Sequence, residues 1–408
     1  MKNYIIYFNQ PNGSYRCITN HGEYITYVRL PAKIHSYAMF KGYECTDEDL
    51  LRYLNDFKQW IKEIKKEGID YTFYYNHTFA TECIYKRLSS GEDKHGTKKK
   101  YDIEQVTERE EFYISKCYNA GLVYCEKYSG ECYGYDYNNY YPRMLSNERF
   151  FIPIRAGLEK YTNVRARMEN NTLKYGMYYI HITSENPDVK KIFSFSKHHV
   201  YTHDSIKFAY KHRDRFNFKF KFWGKSYGVN SMIYEDDEDD EILKNGNYFF
   251  GKWFNKLHEM RLLYPKNKLI KNLLCSCWGC LTKKSLIYKT HDEIIKECIN
   301  IDIDGEGEYK IINLIFKDDG EDYYELQKND SPYKYAMARM KPFLTGRCRN
   351  LTANLCIRGG VEFCIRIHTD NCVFTRPYDV SDIENLYPEE KTTGNLNFTV
   401  INRQPTRN

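Results

Sequence analysis

Phe363-Cys-Ile-Arg-Ile-His368-Thr369-Asp370-Asn371-Cys372-Val-Phe374 is the stretch on which the fold turns. Apolar residues alternate on both sides of a tight His-Thr-Asp-Asn step, and a period of two is the mark of strands with one buried face. Two such runs joined by so short a turn predict a β-hairpin with Asp370 at its tip.

Working outward, Tyr135-Asp136-Tyr137-Asn138-Asn139-Tyr140-Tyr141-Pro142 reads as a short strand ending in an aspartate. The proline six residues later forces a turn into a helix. Between these stretches, residues 248–264 and 266–280 read as two helices broken at Pro265. From 251 to 290 there are nine Lys or Arg and one acid, Glu259. Lys268, Lys271, Cys275 and Gly279 share one helix face, and Leu269, Ile270, Leu273, Leu274, Cys277 and Leu281 lie largely away from it. A lysine line ending in glycine leaves room for a phosphate chain and a base; close helix packing at Gly279 is the plainer alternative. Lys334, Arg339, Lys341, Arg347, Arg349, Arg358 and Arg366 make a second basic stretch. Charge pooled in this way suits an anionic ligand such as a nucleotide or nucleic acid, or forms an ordinary wet face.

The remainder reads as α+β. Residues 24–30 alternate as a strand. Thr46 is placed to cap a helix opening with Asp47, Glu48 and Asp49 and stopping at Gly68. Residues 69–75 read as a strand, 81–88 as a short helix, 89–100 as a linker and 108–121 as a helix. Residues 173–223 are β-rich, with Phe216, Phe218, Phe220 and Phe222 alternating as a half-buried strand. The acidic run 235–241 reads as a solvated loop. Of the 408 residues, 61 are basic and 55 acidic, a net charge of +6 that neither demands nor excludes an anionic partner. Sixty-three Tyr and Phe together exclude a disordered chain. No run of about 18 apolar residues or secretory leader is present, so no membrane partner and an intracellular address are expected. The 14 cysteines are too dilute for a disulfide scaffold, and Cys275-x-Cys277-x-x-Cys280 lacks a second ligand pair for structural zinc.

The three stretches, in this order, resemble motifs A, B and C of family B DNA polymerases. The first is similar to D-x-x-S-L-Y-P, matching at Asp136, Tyr141 and Pro142, with Asn139 for Ser and Tyr140 for Leu. The second resembles K-x-x-x-N-S-x-Y-G at Lys271, Ser276 and Gly279, with Cys275 for Asn and Trp278 for Tyr. The third resembles Y-x-D-T-D-S at Thr369 and Asp370, with Arg366 for Tyr, His368 for the first Asp and Asn371 for Ser. The likeness covers about residues 105–400 and is closest to compact viral or linear-plasmid polymerases, protein-primed ones included.

The resemblance implies a right-hand polymerase. Residues 1–100 would be a small α/β region, 101–248 a palm with motif A and a β-rich insertion, 249–282 helical-hairpin fingers, and 283–408 the rest of the palm with a truncated thumb. Asp136 and Asp370 would hold two Mg²⁺ ions (or Mn²⁺), about 4 Å apart in such chemistry. Lys271 would neutralise phosphate charge in the transition state. Arg261 and Lys268 would grip the triphosphate, with Asn139, Ser276 and Gly279 also lining the nucleotide site, and Tyr141 would exclude a 2′-hydroxyl. The implied partners are template-primer DNA and dNTPs, with a terminal protein primer or a second subunit supplying the thumb as further candidates.

Three departures qualify this. His368 removes one of the two motif C carboxylates, although the one implied to be indispensable, Asp370, is kept. Asn76-His-Thr-Phe79-Ala80 resembles an editing-site motif with alanine in place of aspartate, so no proofreading is expected. Few residues follow Asp370, and no Lys-x-Tyr that would grip a primer is among them. A catalytically inactive, polymerase-like nucleic-acid-binding replication accessory protein is therefore the alternative.

Overall fold

The computed structural model describes residues 3–39, 45–89, 103–117, 120–235, 242–302, 307–316, 322–377 and 396–403. The chain divides into two compact units, Met1–Lys100 with Asn247–Cys280, and Tyr101–Gly246 with Leu281–Asn408.

The first unit carries a four-stranded sheet, β3-β2-β1-β4, of β1 (Tyr4–Asn9), β2 (Tyr15–Thr19), β3 (Tyr24–Tyr27) and β4 (His35–Ala38). Helix α1 (Asp47–Lys66) starts at the expected residue, where Thr46 and Asp49 form a reciprocal capping box. Its Leu50, Tyr53, Leu54, Phe57, Trp60 and Ile64 recur at helical spacing and are buried. Gly68, at φ +83°, lets the chain turn after it. The strand expected over 69–75 is instead a 3₁₀ turn, Tyr71–Phe73. The Asp70 side chain accepts from Thr72 N and bends the chain, while Tyr71 alone of the three goes inward. Helix α2 (His77–Ser89) begins earlier than expected. Helices α9 (Gly246–Leu263) and α10 (Lys268–Leu281) flank Pro265 as the sequence foretold. Within this unit Tyr85 stacks on Phe250 at 5.1 Å, and Lys256 pairs with Glu67 at 2.9 Å.

The second unit holds an antiparallel five-stranded sheet, β19-β6-β18-β17-β5: β5 (Val123–Cys125), β6 (Gly130–Tyr137), β17 (Cys364–His368), β18 (Asn371–Phe374) and β19 (Leu396–Arg403). Its Tyr135, Ile367, Cys372 and Phe374 join a large core with Ala353 and Leu355 of α12 (Met340–Gly359). The opposite face carries a much smaller cluster, Cys132, Ile365 and Val373. A second sheet has the order β10-β9-β12-β8, from β8 (Leu158–Lys160), β9 (Gly176–Thr183), β10 (Val200–Thr202) and β12 (Ser231–Ile233), with β11 (Lys219–Phe222) also on β9. Strand β7 (Phe151–Pro153) pairs with β13 (Leu243–Asn245), and β14 (Leu286–Thr290), β15 (Tyr309–Phe316) and β16 (Asp322–Lys328) form a three-stranded sheet. The shorter helices are α3 (Glu108–Cys117), α4 (Tyr140–Leu145), α5 (Val164–Glu169), α6 (Val189–Ile192), α7 (His203–Lys211), α8 (Arg213–Phe216) and α11 (His291–Lys296). The class is mixed α and β with several sheets.

Three expectations change here. Phe216 belongs to a helix, and Asn217 at φ 51° reverses the chain, so the phenylalanine strand starts only at Lys219. Arg339 does not serve a basic surface: it is fully buried on Glu110 (2.6 Å), whose Oε1 also accepts from the Tyr234 hydroxyl (3.1 Å). Arg349 is buried too and donates to Ala120 O. Glu235, read as part of a solvated loop, is held by Lys160 (2.8 Å) and Lys174 (2.7 Å). The rest of that acidic run, and residues 90–100 of the expected linker, lie outside the described residues. No described helix is long and apolar enough to cross a membrane.

Candidate active site

The hairpin β17–β18 forms as read, with His368 opposite Asn371 and Thr369 at φ 59° in the turn. A threonine takes this left-handed conformation only when its surroundings impose it. Thr369 N donates to Leu122 O at 2.8 Å, and a Cβ on Gly121 would sit 2.9 Å from the Thr369 side chain, so only glycine admits the turn at that point. Asp370 then leads into β18, and its carbonyl accepts from Tyr137 N at 3.0 Å.

The β6–β18 register sets Asn371 opposite Asp136. Asp370, the residue before Asn371, therefore lies at the same end of the same strand pair as Asp136. The register continues sideways: Asn397, Asp136, Asn371, His368 and Val123 form one row across all five strands. Since Tyr135 and Cys372 point into the large core, Asp136 and Asn371 point to the lightly covered face. Both aspartates are half-buried. His368 is exposed on the row, yet no three His, Cys, Asp or Glu side chains converge as a metal-binding group among the described residues. It therefore does not complete a three-ligand set with the two aspartates.

After β6 the chain turns through Asn139, left-handed at φ 53°, into α4. Tyr140, which stands where the family has leucine, is buried with its hydroxyl 2.6 Å from Thr352 Oγ1 and against the Cys348 carbonyl. Thr352 Oγ1 donates to Thr369 O at 2.6 Å. A polar chain thus ties the turn after Asp136 to the turn before Asp370. Burial first of all pushes the Tyr140 hydroxyl well above its ordinary pKa, so it stays protonated. The sequence reading missed Thr352 and Gly121; neither carries a spacing signal, since both act through contacts distant in sequence. Tyr141 is half-buried, its ring 5.4 Å from that of Tyr140.

In the other unit, Lys268, Lys271, Cys275, Ser276 and Gly279 are exposed along α10, while Leu269, Ile270, Leu273, Leu274, Cys277 and Leu281 are buried. A Cβ on Gly279 would meet no atom within 4 Å, so close helix packing is not why glycine stands there. Lys268 Nζ lies 5.7 Å from the Trp60 ring centre. Arg261, half-buried, is in the last turn of α9. Cys275 faces solvent while Cys277 and Cys280 face inward, so the three thiols do not converge.

No protein-family model matches the chain, and neither does any curated protein. Among solved structures it is similar to Phi29 DNA polymerase complexed with single-stranded DNA, with a TM-score of 0.53 and 12% identity over 84% of this chain and 55% of that one. Phi29 DNA polymerase complexed with primer-template DNA in a post-translocation binary complex gives 0.50 and 13% over the same shares. The fold is polymerase-like. The chain spans about half the length of these structures, 55%, and at this identity the likeness concerns the fold alone.

Proposed function

We propose that the chain is a family B, template-directed DNA polymerase that adds dNTPs by two-metal nucleotidyl transfer, without proofreading. The five-stranded sheet is its palm and the α9–α10 hairpin its fingers. The observation that carries this reading is the β6–β18 register, which gathers Asp136 and Asp370 at one end of one strand pair. The polymerase-like fold and the motif order support it.

The donor set fits Mg²⁺, a hard ion that takes carboxylate oxygens, keeps several waters and accepts the rest of its ligands from a triphosphate. Asp136 and Asp370 would hold the pair of ions, which when bound stabilise the attacking and leaving oxygens. Lys271 neutralises triphosphate charge, assisted by Arg261 and Lys268. The open backbone at Gly279 and the small Ser276 leave space for a base. Tyr141, beyond the Asn139 turn, sits under the sugar and rejects a 2′-hydroxyl. The primer is a nucleic-acid 3′-hydroxyl or a protein hydroxyl.

Primer extension with Mg²⁺ or Mn²⁺ tests the reading. Incorporation is expected, with Asp370→Ala reducing it by at least about a thousandfold, in line with the several kcal/mol carried by a transition-state charge clamp. No incorporation on any template, or unchanged incorporation in the variant, would overturn it. The exposed His368 on the row favours one second reading, an inactive polymerase-like protein that binds nucleic acid as a replication accessory. That reading predicts template-primer binding without extension under either metal.

A further inference from the structure

The second sheet of the larger unit has an outer face that the proposed chemistry does not use. Along β9, Tyr178, Ile180 and Ile182 point into the core, while Tyr179 and His181 are half-buried on the other side. Strands β11 and β12 follow the same edge of β9, and the segment between them, residues 223–230, bulges out beside Tyr179. Trp223 from this bulge packs on Tyr179 at 4.5 Å, lies parallel to the His181 ring (8° between planes) and touches Tyr227 at 5.4 Å. On the other flank His199 stacks on His181 at 3.5 Å. His199 holds this place at φ 58° and with its Nδ1 lacking a hydrogen-bond partner, a strained arrangement that the local fold sustains at a cost.

Tyr227 is 72% exposed, Val229 beside it 54%, and Trp223 is half-exposed, so the rings form a platform rather than a core. Lysines surround it. Lys221 pairs in register with His181, Lys219 with Thr183, and Lys225 is in the bulge; all three are exposed. Lys219 is balanced by Glu185 at 2.9 Å, whereas the bulge itself contains one charged residue, Lys225.

We propose that this face binds single-stranded nucleic acid, with bases stacking on Trp223, Tyr227, Tyr179 and His181 and phosphates meeting Lys221 and Lys225. Unstacked bases offer π-faces that a duplex keeps to itself, and any base stacks, so the site tolerates sequence. Among the described residues the face offers rings and lysines rather than a broad aliphatic surface, which suits bases and phosphates. The proposal is independent of the polymerase reading, since none of these residues belongs to the carboxylate row.

The test uses the full chain and a twelve-residue oligothymidylate carrying 4-thiothymidine. Photocrosslinks are expected in the peptides bearing Tyr179 and residues 219–229. Trp223→Ala with Tyr227→Ala should weaken binding about tenfold or more, and Lys221→Gln should lower the salt slope by roughly 0.7. Should Trp223→Ala misfold, Tyr227→Ala with Lys225→Glu changes exposed residues and poses the same question. Crosslinks confined to other peptides, or affinity within twofold in the platform variants, would overturn the proposal. Primer extension on a short template should be unchanged in these variants, so the two readings fail separately.

Discussion

At the scale of single residues the candidate site depends on side chains that carry no motif. Asp136 and Asp370 are visible in the sequence because a carboxylate at a strand end and one at a hairpin tip each leave a local pattern. Their juxtaposition is not, because register across a sheet is a tertiary property. What fixes it includes the contact of Tyr140 with Thr352 and the hydrogen bond from Thr352 to the Thr369 carbonyl; Thr369 falls in the third motif, whereas Thr352 belongs to none. Thr352→Val keeps the volume and removes the hydroxyl, so the part-buried Thr369 carbonyl loses its donor while the buried Tyr140 phenol keeps the Cys348 carbonyl. The expected loss is about 1–3 kcal/mol of stability. Under the proposed polymerase reading, a Thr352 that positions the hairpin tip should make the incorporation rate fall more than the apparent dNTP affinity, with Thr352→Ser restoring it. A variant that loses stability but keeps its rate assigns Thr352 to packing alone.

At the scale of elements, helices were legible and short strands less so. Helix α1 is written in its cap and apolar spacing, and the α9–α10 hairpin in its proline and its lysine face. Residues 69–75 misled because aromatic residues suit strands and buried turns alike, and only the Asp70 side chain marks the turn. The same segment gives a pH prediction. His77, at the start of α2, is buried with Nδ1 2.8 Å from the Tyr71 hydroxyl and Nε2 3.1 Å from Ala38 O. Burial holds its pKa down at about 4, against 6.5 when unperturbed. Between these values the unfolded chain binds a proton that the folded chain refuses, so stability falls as pH drops through that window. The loss approaches about 3 kcal/mol at the lower end. Urea unfolding followed by the fluorescence of Trp60 and Trp253, both buried in this unit, should show it. The pH slope should shrink in His77→Gln; an equal slope in that variant would assign it to other groups.

At the scale of the whole molecule, the grouping of residues 1–100 with 247–280 was out of reach of any reading along the chain. The sequence marks an N-terminal region and a basic hairpin, but nothing local says that they share a core. Asn267, just before α10, shows how they do. Its Oδ1 accepts from Leu269 N (3.1 Å) and Ile270 N (3.3 Å), capping the helix, while its Nδ2 donates to Trp60 O (3.1 Å) and Glu63 Oε2 (2.8 Å) of α1. One buried amide therefore starts the helix that carries Lys268 and Lys271 and fastens it to an element some two hundred residues away. Asn267→Ala should cost about 2–3 kcal/mol, a lost cap plus two lost hydrogen bonds to α1, one of them to a carboxylate. Asn267→Asp separates the two contributions: it keeps the cap acceptor but has no amide to donate, and sets a carboxylate against Glu63. The aspartate variant should therefore be no more stable than the alanine one at neutral pH and should recover at low pH, as the carboxyl groups protonate, relative to its own background. If Asn267→Asp instead matches the parent protein in its urea midpoint, the bonds to α1 contribute nothing and the hairpin is held by its apolar face alone.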